Sequence, residues 1–281
     1  MRKISKPRIS VKNVFLDCIG NVRDKRFKSD LIDSVDVLIS AENEYDQKII
    51  NHDLHTIPHN QEVNAVVDKS VLISVYTDRM VNKTNKARIH YDTLMALAPN
   101  GRCPFCAQRI ASTLDHYLPK SIYPLLSVAP LNLVPSCFDC NRGKLIEYPS
   151  NPEEEILHPY YDDVDSFIWL KACLKSVSPI IITFYAEPPQ DIDALLSKRI
   201  VNHFDSLELN ILYTSHAVEE FENIKSQLTL LFRKGGSKLL SEYLSDCYDS
   251  RSCVCLNSWQ SAFYKSLLSN TDFCNGSFID A

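Results

Sequence analysis

Apolar residues along this chain recur mostly at three- and four-residue steps, the period of a helix with one buried face. Over residues 1 to about 100 the pattern predicts helices interrupted at Pro58. Ile89, Leu94 and Leu97 form a last stripe that ends in the turn Pro99-Asn-Gly101. From about 101 to 148 the period is lost and irregular backbone is expected. Beyond 149 one segment, Ile180 to Tyr185, is rich in β-branched and aromatic residues and predicts a strand. Helical spacing then returns. Asp191 is placed to cap a helix through Ile192, Leu195, Leu196, Ile200 and Phe204. Val218, Phe221, Leu228 and Leu231 mark another, with Arg233 and Lys234 near its end and Gly235-Gly236 to stop it. Ser237 and Ser258 can cap two more, the last carrying Trp259, Phe263 and Leu267. With only six glycines in 281 residues, long helices are favoured over glycine turns. The expected fold is α+β and mostly helical, in three parts: a helical region 1-100, an irregular core 101-148, and a mostly helical region 149-281.

The irregular core concentrates the candidate chemistry. Cys103-Pro-Phe-Cys106 and Cys137-Phe-Asp-Cys140 have the spacing of two zinc knuckles, and four thiolates complete a tetrahedral structural zinc site. Between and just after them lie Asp115, His116, Asn132, Asn141 and Lys144. Asp115 supplies a hard oxygen for Mg2+ or Mn2+, and Asn141 a second oxygen ligand from a helix following the second knuckle. His116, on the opposite face of an extended strand from Asp115, can take a proton from water. Lys144, three residues after Asn141, shares its helical face and can contact phosphate, and the Asn132 amide can brace the loop carrying His116. The opening Met-Arg-Lys-Ile-Ser-Lys-Pro-Arg is polar with no apolar run after it, so a cytoplasmic protein without membrane spans is expected. There thiols stay reduced, and Cys18, Cys173, Cys247, Cys253, Cys255 and Cys274 read as free thiols.

Net charge is −5, yet residues 1 to 28 hold nine Lys or Arg against Asp17 and Asp24, a balance of +7 that leaves −12 for the remainder. Arg79, Lys83, Lys86 and Arg88 form a second basic group. Both groups read equally as phosphate contacts or as solvated helix surface. Lys120 reads as a phosphate contact or a loop charge, and His158 as a core histidine or a site-lining one. Tyr117, Tyr123 and Phe138 are expected to pack the small core rather than stack bases.

The order Cys-x-x-Cys, Asp-His, Asn, Cys-x-x-Cys-Asn and Lys over residues 101 to 144 resembles the HNH endonuclease family, whose ββα-metal core often carries a treble-clef zinc site. The resemblance implies that His116 is the general base, Asp115 a ligand of the catalytic ion, Asn132 the residue orienting the base, and Asn141 the completion of the metal site. Asn141 stands where many members have His. The wider pattern of Leu-Asp-His-Tyr-Leu-Pro-Lys, Pro-Leu-Asn-Leu-Val-Pro and a later His-Pro-Tyr is similar to the HNH nucleases of Septu-type antiphage systems. That likeness implies a partner ATPase of ABC or SMC type and, for retron-associated members, a reverse transcriptase with its DNA. No nucleotide-binding glycine loop occurs here, so an ATPase would be a separate chain. Its docking surface is expected from Asp191 onward, with Trp259 and Phe263 as anchors. A stand-alone restriction-type nuclease, and a zinc-dependent adaptor that binds without cutting, remain the alternatives.

Overall fold

The computed structural model describes residues 1–143 and 148–279 of the chain. It is an α+β fold, 54% helical, with two small two-stranded sheets. Two compact units form, Met1–Asp163 and Val164–Ala281.

The first unit opens with α1 (Val11–Ile19), capped by Ser10 accepting from the Asn13 N–H, and α2 (Lys25–Asp33), capped by Asp24. α3 (Val35–Ile50) buries Leu38, Tyr45 and Ile49. Irregular backbone through Pro58 separates it from α4 (Lys69–Ser74), which runs directly into a π-helical stretch, Val75–Met80. In α5 (Arg88–Met95) the inward stripe is Tyr91 and Leu94, continued by Ala98; Ile89 is 62% exposed, against the expected stripe. Arg88 lies over the Tyr91 ring at 4.1 Å. Next come two short antiparallel strands, β1 (Thr113–His116) and β2 (Leu133–Ser136), in the register Thr113↔Ser136 to His116↔Leu133. Pro135 fits β2 because a two-stranded ladder leaves a side that needs no amide donor. α6 (Phe138–Gly143) follows and packs on β1.

The segment after 150 returns beneath this ladder. Glu155 accepts from the Leu54 N–H, Tyr160 Oη donates to Leu133 O at 2.7 Å, and Tyr117 Oη donates to Ile156 O. His158 is a core residue: its Nδ1 accepts from the Tyr160 N–H, so a neutral ring carries its proton on Nε2, 3.1 Å from Tyr45 Oη. Tyr117, Tyr160 and Tyr161 surround it, with ring centroids 4.3 to 5.3 Å away. Full burial of each such aromatic contributes about 1.5–3 kcal/mol, and satisfied hydrogen bonds let the polar atoms share that burial.

In the second unit β3 (Leu170–Val177) and β4 (Ile180–Ala186) form a hairpin. β4 fulfils the expected strand, whereas β3, Leu-Lys-Ala-Cys-Leu-Lys-Ser-Val, has too few β-branched residues to announce itself. α7 (Ala194–Ser206) is capped by Asp193, whose carboxylate accepts from the Leu196 N–H, and not by Asp191. α8 (Leu209–Val254) is two helical runs that meet at Gly236, whose non-helical φ of 63° and ψ of −156° suit glycine and break the first run where the glycine pair was expected to stop it. Ser237 opens the second run without a side-chain capping bond among the described residues. Ser258 does cap α9 (Trp259–Leu268), which precedes α10 (Thr271–Cys274). α9 packs against β3 and α8, leaving Trp259 only 7% and Phe263 0% exposed. These two aromatics belong to the core and cannot anchor a partner. Asn257 fixes the approach to β3 by accepting from the Trp169 and Leu170 N–H groups and donating to Val164 O and Phe167 O. No helix among the described residues is long and apolar enough to cross a membrane.

Candidate metal centre and active site

Cys103, Cys106, Cys137 and Cys140 are all buried, with their sulfur atoms within 4.8 Å of one another. Each pair lies on a turn shaped for it. In the first, the Ala107 N–H donates to Cys103 O and Ala107 adopts a φ of 58°; in the second, the Cys140 N–H donates to Cys137 Sγ at 3.4 Å. Arg109 pairs with Asp139 at 2.8 Å and bridges the two knuckles from outside. Zn–S bonds of about 2.3 Å in a tetrahedron place sulfurs about 3.8 Å apart; Cys106 and Cys137 stand at 3.9 Å. Thiols this close share protons. Hydrogen bonds, that with Cys103 first, drive Cys106 far down and bring Cys137 to about 7, while Cys103 and Cys140 are pushed up. The four-thiol donor set and its size fit a zinc ion, which would replace those shared protons.

The same ladder carries Asp115 and His116. Both are buried, and the strand pleat sends them to opposite faces. His116 Nε2 stands 2.8 Å from Ser127 O. A carbonyl only accepts, so Nε2 holds the proton and Nδ1 carries the lone pair of the neutral ring. Asn132, fully buried just before β2, accepts from the Leu118 N–H at 2.7 Å and donates to Leu118 O at 3.0 Å and Leu126 O at 3.3 Å. Its amide thus ties down the loop that follows His116. Asn141 is half-buried on α6, against β1. Lys144 lies outside the described residues. The structure therefore gathers Asp115, His116, Asn132 and the helix of Asn141 around one two-stranded ladder. Carboxylate and amide oxygens are the donor types that a hard divalent ion takes.

Two neighbours escaped the sequence reading. Tyr76, from the π-helical stretch, packs its ring against His116 with centroids 4.4 Å apart, and Lys120 Nζ lies 5.4 Å from the Tyr76 centroid. Glu42 of α3 accepts from the Val11 and Leu131 N–H groups, linking the start of α1 to the turn before Asn132. No local pattern ties either residue to the site; only a π-helical stretch, frequent at functional positions, would have pointed to Tyr76. Phe138 is 62% exposed rather than packed in the core, because its helix turns Cys140 inward. Among the basic candidates, Lys3, Lys6, Lys86 and Arg88 pair with Asp163, Asp46, Asp17 and Asp92. Part of the N-terminal positive charge is thus neutralised within the unit.

No family model matches the chain, and no solved structure does. Protein ea31 of Escherichia phage lambda is 26% identical over 300 residues, covering 98% of this chain and all of that protein. Septu protein PtuB of Bacillus thuringiensis is 37% identical over 82 residues, 27% of this chain and 31% of its own length. The chain therefore shares partial similarity with a Septu protein and full-length similarity with a phage protein, and its buried four-cysteine cluster can hold zinc.

Proposed function

We propose that this chain is a metal-dependent endonuclease of the HNH type, hydrolysing nucleic-acid phosphodiester bonds and serving in antiphage defence. The observation that carries the reading is the His116 imidazole: one nitrogen is committed to Ser127 O, which leaves a lone pair on the other, and the Asp115 carboxylate is its immediate neighbour on a cysteine-pinned ladder. His116 Nδ1 accepts a proton from water as its oxygen attacks phosphorus, and the Asn132-braced loop holds the ring in place. Asp115 and Asn141 hold a divalent ion, Mg2+ or Mn2+, which neutralises charge on the phosphate and on the leaving oxygen. Lys144 contacts phosphate. Zinc at the four cysteines is structural.

The Septu likeness supports the defence role and a separate ATPase partner, which tagged protein at native expression should recover. Incubation with plasmid DNA, single-stranded DNA and RNA in Mg2+ or Mn2+, beside a His116→Ala control, tests the activity. Metal-dependent cleavage that His116→Ala abolishes is expected. Equal cleavage by both proteins removes the assignment of catalysis to this site, and no cleavage by wild type with its partner present favours a zinc-dependent adaptor instead.

A further inference from the structure

We propose that Lys120 binds a non-bridging oxygen of the scissile phosphate, an inference that rests on the endonuclease reading and extends it to substrate contact. Lys120 is half-buried, and among the described residues no hydrogen bond or ion pair reaches its ammonium. Two things accompany it: the Tyr76 ring, 5.4 Å from Nζ to centroid, and the charge of Asp115. The other side of that geometry is His116, 4.4 Å from the same Tyr76 ring. One tyrosine ring therefore meets both a cation and the proposed base.

A partly desolvated ammonium without an ion pair is costly to keep, and its pKa is lowered by burial. Lys3, Lys6 and Lys86 of the same unit, by contrast, each meet an aspartate within 3.1 Å. What Lys120 lacks among the described residues is an anion at ion-pair distance, and the anion that must stand beside His116 during hydrolysis is a phosphodiester. Its charge would answer the ammonium where Asp115 and Asn141 engage the divalent ion, so the phosphate is gripped from two sides. Tyr76 itself stays protonated, since burial raises its hydroxyl well above the ordinary value, and acts as a neutral platform that positions both groups.

Steady-state cleavage of plasmid DNA by the full chain, with its partner if one is required, tests the assignment in wild type, His116→Ala, Lys120→Gln and Lys120→Arg. Lys120→Gln is expected to lower kcat/KM by about 10- to 100-fold and to flatten the dependence of log kcat/KM on log salt by roughly one phosphate contact. Lys120→Arg should retain most of both. Lys120→Met keeps the aliphatic stem on Tyr76 and gives the same readout if the amide of Lys120→Gln disturbs folding. Wild-type kcat/KM and salt slope in the neutral variants, with His116→Ala inactive, would overturn the Lys120 assignment and leave the endonuclease reading intact. Cleavage by His116→Ala equal to wild type would remove that reading itself.

Discussion

The two ends of the β1–β2 ladder make different demands on the chain. At one end Thr113 faces Ser136, and Cys137 follows directly into the four-thiol cluster; at the other, about 10 Å away by strand rise, His116 faces Leu133 and meets Ser127, Tyr76 and the Asn132-braced loop. The cysteine end is closed and made of like groups on local turns, so its geometry depends on a metal and little else. The histidine end is assembled from α4's π-helical continuation, the 117–126 loop and a buried asparagine, with each part held by a distant neighbour. The first end can brace the ladder, while the second carries the candidate chemistry. Damage to the two should accordingly look different.

The largest effect is expected at the closed end. Cys137→Ser removes one of four thiolates, and because structural zinc binding supplies on the order of 10 kcal/mol to folding in small zinc sites, the first unit should lose its cooperative unfolding. Elemental analysis should find one zinc per wild-type chain and markedly less in the variant. A soluble, zinc-free Cys137→Ser protein with wild-type melting would erase the contrast between the ends.

At the histidine end His116→Ala is expected to cost about 10²- to 10⁴-fold in kcat while one zinc per chain remains. Loss of zinc along with activity would mean that the ends are not separable. Asn132→Ala should sit between these extremes: it strands the Leu118 N–H and C=O in a buried loop, costing roughly 2–4 kcal/mol for two unsatisfied groups, with zinc content unchanged. Chemical denaturation measures that loss, and kcat should fall because the loop after His116 loosens.

The smallest effect concerns Glu42, whose carboxyl reaches the turn before Asn132. Burial raises its pKa to about 7, against which the bonds from Leu131 and Val11 pull only partly. A carboxyl with a raised folded-state pKa favours the protonated native state. Its contribution is fully present below about 4.5 and is lost as pH rises through about 7. Melting temperature of Glu42→Gln should therefore be less sensitive to pH than wild type between those values. Parallel profiles for the two proteins would show that Glu42 ionises freely in the folded state.

Features encoded within a few residues were legible. Two Cys-x-x-Cys turns, the β-branched run Ile180 to Tyr185 and the Ser258 cap each follow from short-range geometry, and the structure contains all three. Errors arose where local signals compete. Asp193 outcompeted Asp191 as a cap by position alone, and Ile89 lost its place in the buried stripe of α5 to Tyr91.

By itself, then, the sequence determined which chemical groups the chain owns and which short turns and stripes present them, since metal spacing, capping and amphipathic period are properties of neighbouring residues. Only the tertiary structure decided which faces those stripes seek. Trp259 and Phe263 went inward against β3 and α8, Phe138 went outward, and Tyr76, forty residues upstream of His116, came to lie on its ring. Side-chain burial and ring contacts of this kind depend on loop closures and packing across tens of residues, and no local spacing records them.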